Sequence, residues 1–131
     1  MRRASRVLGV LLPILAVTQL VVGFGFWSGH WFGLRTFHIA VGTAFVLVLW
    51  TVAGLALRER RGAKLAVFAL VWGIVLAAFG MAQQRLLIGD WHWVISVVHL
   101  ATAIVAMMIA GRLNQEKAQP STEAVRQLGA A

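Results

Sequence analysis

Cysteine is absent from the 131 residues, which excludes disulfides, thiolate metal sites, iron-sulfur clusters and haem attached through cysteine. Charge is nearly as scarce, with twelve Lys and Arg against four Asp and Glu. None of the four carboxylates falls inside a long apolar run. Intramembrane carboxylates, broken helices and an inverted repeat are the usual equipment of transporters and proton pumps, and the chain has none of them in its sequence pattern. Apolar residues are what it has: 60% are hydrophobic and the mean hydropathy is +0.83. A soluble domain of this size has too little interior to hide so much apolar surface, so the composition predicts an integral membrane protein.

Four runs are long enough to cross a hydrocarbon core of about 30 Å, which takes about 20 helical residues. They are Val7 to Phe26, Thr36 to Leu57, Leu65 to Gln84 and Trp91 to Gly111. The first follows the basic opening MRRASR and resembles a signal peptide in outline. Its apolar stretch is longer than the usual h-region, so it counts as a helix. Backbone groups in lipid need internal partners, which makes each run helical. Short connections make neighbours antiparallel, and the expected fold is all-α, an up-down four-helix bundle over residues 1–113. Residues 114–131 carry Gln, Lys, Glu, Pro and Ser with no sustained apolar face, and are expected to form a polar cytoplasmic tail.

Orientation follows from the cations. Arg2, Arg3 and Arg6 precede the first run, Arg58, Arg60, Arg61 and Lys64 fill the second connection, and Arg112, Lys117 and Arg126 follow the last, leaving only Arg35 and Arg85 on the other side. The positive-inside rule then places both termini in the cytoplasm, with the bacterial cytoplasmic membrane as the expected location. The net charge of +8 is divided among three segments that flank helices. That division points to topology and anionic lipid, not to nucleic acid. Trp27, Trp31, Phe32, Trp91 and Trp93 gather at the opposite boundary as an aromatic belt.

Four polar residues within the spans are the informative ones, and all four lie in the outer half: Gln19, His38, Gln84 and His99. Polar groups are expensive in lipid and face the bundle interior, so four at one depth point to a single shared site. Small residues flank them: Ala16 and Gly23 beside Gln19, Gly42 after His38, Gly73, Ala77 and Gly80 on the face leading to Gln84, and Ser96, Ala103 and Ala106 around His99. Such residues serve close helix packing, or leave room for a flat macrocycle, and the sequence does not separate the two uses. His38 and His99, inward on the second and fourth helices, have the type and spacing to ligate one haem iron from both faces. Interhelical hydrogen bonding is the plainer use of the same imidazoles. His30, in WSGHWFG, and His92, in GDWHWV, read first as interfacial residues. Because His92 lies two turns from His99 on one face, a second haem, or a surface metal site with Asp90, is a lesser alternative.

The order of these features resembles one four-helix half of the haem A synthase family. The resemblance rests on RTFHIAVG, opening the second helix, and AQQRLLIGDWHWVISVVHLATA, running from the third into the fourth, and covers Thr36 to Ala106. It implies a b-type haem held by His38 and His99, with Gln84, Leu87 and Gly89 at the turn that ends the third helix. Two departures narrow it. The family enzyme has two such halves, so this chain would need a homodimer to reproduce eight helices. Where the family's reactive half has an acidic residue three positions before its helix-two histidine, this chain has Arg35, so synthase activity is not expected. A cation there suits a haem propionate.

The sequence therefore leads to a membrane-bound b-type haem protein for one-electron transfer, within a larger respiratory or other membrane oxidoreductase complex. His38 and His99 are the expected ligands, Gln19 and Gln84 the hydrogen-bonding groups, and Arg35 the propionate partner. A quinol or an extracytoplasmic carrier is the expected electron partner. The alternative is a cofactor-free structural or assembly subunit whose histidines and glutamines tie helices together.

Overall fold

The computed structural model describes residues 2–59 and 62–118. Arg60, Arg61, Arg126 and the tail beyond Ala118 lie outside the described residues, as do the side chains of Arg2, Arg3, Arg6 and Lys117. Among the described residues there are only helices and connections. Helix α1 spans Arg2–Trp27, α2 Arg35–Arg58, α3 Ala63–Ala82 and α4 His92–Ala118, and short 3-10 turns cover Phe32–Leu34 and Gln83–Arg85. Four stretches, Val7–Trp27, Phe32–Arg58, Ala63–Arg85 and His92–Gln115, are long and apolar enough to cross a membrane. The chain is thus an integral membrane protein by the length and composition of its helices.

The helices form a ring in sequence order, α1 against α2, α2 against α3, α3 against α4 and α4 back against α1. Helices α2 and α4 also touch across the diagonal. Contacts at both ends set the directions. Gly23, late in α1, meets His38, early in α2, and Gly80, late in α3, meets His99, early in α4, whereas Gly9 meets Asn114 near the two termini. Successive helices are therefore antiparallel, as connections of a few residues require. Below, the terminal end is the one with Gly9 and Asn114, and the distal end holds the α1–α2 and α3–α4 connections.

The tightest packing lies toward the terminal end. Leu12, Leu49, Val52 and Leu113 are the largest fully buried side chains, set among Ala53, Ala66, Ala69 and Ala106. Alanines let these backbones approach closely, which is how helices associate where lipid offers no hydrophobic drive between them. Outward-facing Val10, Ile14, Val17, Ile39, Leu47, Ile74 and Met108 remain exposed on the bundle. That surface matches lipid tails, which is why the helices are apolar on every side.

Helix α1 begins at Arg2, ahead of the expected Val7, and two later helix ends also differ from the sequence expectation. Helix α3 gives way at Ala82 to a 3-10 turn that contains Gln84. Helix α4 runs to Ala118, past the start of the expected polar tail at Asn114. The reason is local: Leu113 is buried, and Asn114 Nδ2 donates to the Gly9 carbonyl at 3.4 Å. That carbonyl needs a partner, because Pro13, four residues on, has no N–H to give it.

Candidate functional site

The distal half holds few fully buried side chains, and the polar residues collect there. His38 sits in the first turns of α2, where its ring meets Phe26 of α1 edge-on, with centroids 5.1 Å apart. Gly23 lies beneath it, where a β-carbon would stand in ordinary contact, 3.6 Å from Cε1 of His38. His99, two turns into α4, packs against Phe79 of α3 with ring centroids 5.9 Å apart and planes 26° from parallel. Gly80 faces it, with a β-carbon position 3.3 Å from Cε1 of His99. Each imidazole thus rests between a phenylalanine and a glycine of the preceding helix.

Gln19 completes the layer. A β-carbon on Gly42 would stand 2.5 Å from its Nε2, so the amide lies directly on the α2 backbone one turn beyond His38. Three buried atoms in this layer have no hydrogen-bond partner: Gln19 Oε1, His38 Nδ1 and His99 Nδ1. Buried polar groups are nearly always paired, so three orphans at one level mark the layer as chemically incomplete.

The turn that carries His99 is held from α3. Trp72 Nε1 donates to the Thr102 carbonyl at 2.9 Å, and the Thr102 hydroxyl donates to the His99 carbonyl at 2.8 Å. Trp72, Phe26 and Phe79 are site residues that sequence reasoning passes over, because an aromatic residue in an apolar helix carries no mark of its neighbour.

Gln84 stands apart from the orphaned layer. Exposed at the rim, its Oε1 accepts from Arg35 Nη2, joining the α3–α4 connection to the start of α2. The small-residue face leading to it is likewise divided. Gly80 serves His99, whereas Gly73 seats the indole of Trp50, whose Nε1 donates to the Leu70 carbonyl at 3.1 Å. His30 lies outside the layer, with Nδ1 3.2 Å from Ser28 Oγ. His92, at the first position of α4, has Nδ1 3.3 Å from the Leu86 carbonyl.

Whether these residues suit a metal depends on how many ligands the metal needs. No group of three or more His, Cys, Asp or Glu that could hold a bare ion occurs among the described residues. A haem asks less of the protein, since the macrocycle supplies four nitrogens and the chain two axial ligands. His38 and His99, on diagonally opposed helices at one level, meet that requirement in number and type. Among the orphaned atoms, Gln19 Oε1 is an acceptor that suits the non-ligating N–H of one imidazole.

Compared with protein-family models, with curated proteins and with solved structures, the chain has no match.

Proposed function

We propose that the chain is a membrane-bound b-type haem protein that carries single electrons, with His38 and His99 as axial ligands. The observation that supports this best is the pair of imidazoles on α2 and α4, each with a buried Nδ1 that has no partner. Iron held between two imidazoles supplies a one-electron couple and has no open position for oxygen chemistry. The chain's own residues have separate tasks. His38 and His99 hold the group, and Phe26, Phe79 and the Trp72–Thr102 tether orient the rings. Gln19 Oε1 is the unused acceptor in the layer, suited to an Nδ1–H of a ligating imidazole. Arg35 has five N–H donors, and those not engaged by Gln84 suit a propionate at the rim. In this reading both termini are cytoplasmic, the membrane is the bacterial cytoplasmic membrane, and the chain works within a larger oxidoreductase complex. His30 and His92 are not ligands, and no second haem is included. The likeness of RTFHIAVG and HLATA to half of the haem A synthase family points the same way without implying synthase activity.

A second reading is favoured by the fit of Gly23 and Gly80 under the two imidazoles. Glycines packed against histidines, Gly80 the more tightly, are also what a cofactor-free structural subunit would use. The test is a dithionite-reduced minus oxidised spectrum of protein purified in detergent after expression with ample haem, beside His38→Ala and His99→Ala. The haem reading expects a sharp low-spin α-band that disappears in both variants. A featureless spectrum replaces it with the structural reading, and an α-band unchanged by both substitutions overturns His38 and His99 as the ligands.

A further inference from the structure

We infer that the outward helix faces ending in Arg58, Lys64 and Arg112 bind anionic phospholipid, in preference to zwitterionic phospholipid, in the leaflet at the terminal end. None of these residues belongs to the histidine layer, so the preference is independent of the haem reading.

Each cation closes a stripe that faces lipid. On α3, Lys64 is followed at helical spacing by Phe68, Val71 and Val75, all exposed. On α4, exposed Ile104 and Met108 lead at intervals of four residues to Arg112. On α2, Leu47 and Thr51 share the face of Arg58, the last residue of the helix. The Thr51 hydroxyl donates to the Leu47 carbonyl at 2.8 Å, so its hydrogen is satisfied within the helix and the face needs no water. All three cations are exposed. They share the terminal end, because α2 closes and α3 opens there and Arg112 lies two residues before Asn114.

The apolar stripes accept the acyl chains of any lipid, and the cations select the headgroup. Lys and Arg stems lie along hydrocarbon while their charge reaches the headgroup level. There the phosphate of a zwitterionic lipid already has its own ammonium partner, whereas that of phosphatidylglycerol has none. A protein cation therefore attracts the second lipid more strongly. Acidic side chains do not cancel this charge: among the side chains described at that end, Glu59 is the single carboxylate. The distal end differs. Arg35 is engaged by Gln84, Arg85 shares its connection with Asp90, and exposed Trp27, Trp31, Trp91 and Trp93 occupy the boundary. Indoles suit an interface through their amphipathic rings, with no net charge to select a headgroup. The preference is thus confined to one leaflet.

The test is electron paramagnetic resonance of the full chain in phosphatidylcholine bilayers, with spin-labelled phosphatidylglycerol or spin-labelled phosphatidylcholine as the probe. The fraction of probe held at the protein gives the relative association of the two lipids. Phosphatidylglycerol is expected to associate about threefold more strongly, of the order that one cation near the membrane surface contributes. Sodium chloride at about 1 M, where charges are screened within about 3 Å, should remove the difference. Arg58→Gln, Lys64→Gln and Arg112→Gln together should lower it toward parity, with thermal unfolding in detergent showing the bundle intact. Arg35→Gln with Arg85→Gln, at the distal end, should leave it unchanged. Equal association of the two lipids, a preference that survives high salt, or an unchanged preference in the triple variant overturns the inference. Loss of the preference in the distal variant instead places the anionic lipid at the other end and overturns it too.

Discussion

Asn114 on α4 donates to the carbonyl of Gly9 on α1, the same carbonyl that Pro13 leaves without its intrahelical donor. A defect in one helix is thereby repaired by the side chain of another, as membrane helices with internal proline require. Asn114→Leu should cost about 1–3 kcal/mol, the range for a polar group left unsatisfied. In a Pro13→Ala background residue 13 regains its N–H, and the cost should fall to a few tenths. Reversible unfolding in mixed micelles of the four proteins completes the cycle. Additive losses would show that Asn114 acts independently of the proline.

Gly73 and Gly42 each lie under a side chain from a neighbouring helix, but the two neighbours differ in stiffness. Over Gly73 is the bulky Trp50 indole, itself tied to the Leu70 carbonyl; over Gly42 is the flexible amide of Gln19. Gly73→Ala is expected to destabilise by about 1–3 kcal/mol, as overpacking does, and Gly42→Ala by less than about 1 kcal/mol, because Gln19 can swing aside. Thermal unfolding in detergent ranks the pair. The reverse order would mean that Gln19 is the more tightly held of the two.

Trp72 reaches His99 only through Thr102. Trp72→Phe removes one hydrogen bond and should cost about 0.5–1.5 kcal/mol. If haem is bound, the variant keeps its α-band and shifts its midpoint potential, since the ligand turn is no longer tethered. Potentiometric titration checks this; a potential equal to the parent's would separate Trp72 from the site.

Arg35 and Gln84 form an exposed pair at the rim, and exposed pairs contribute little to stability. Arg35→Gln should leave the unfolding curve in place. With haem bound, loss of the cation should lower the midpoint potential, because positive charge near a propionate favours the reduced form. A potential that stays where it was would remove Arg35 from the propionate role.

The site was legible in proportion to how unusual its residues are for lipid. His38, His99 and Gln19 stand out in apolar runs, and the structure brings them to one level with three orphaned atoms between them. Gln84 looked equivalent by spacing but is not. The 3-10 turn at Gln83–Arg85 has three residues per turn instead of 3.6, which carries Gln84 off the face that holds Gly80. Gly80, still within regular α3, faces His99, and Gly73 is taken by Trp50. Asn114 looked like the first residue of a polar tail, because its partner lies 105 positions away.

Composition and run length by themselves determined that four helices are long and apolar enough to cross a membrane, that short connections make them antiparallel, and that few polar groups lie inside. Those are one-dimensional properties, set by the transfer of side chains into lipid and by the reach of a few connecting residues. Only the tertiary structure decided which atoms remain unpaired, that Asn114 answers Pro13, and that His30 is turned back onto α1 with one ring nitrogen engaged. These depend on how each helix is rotated about its axis. A helix apolar on every side has no amphipathic stripe to set that rotation, so it is fixed by glycines, indoles and hydrogen bonds that meet only when the bundle closes.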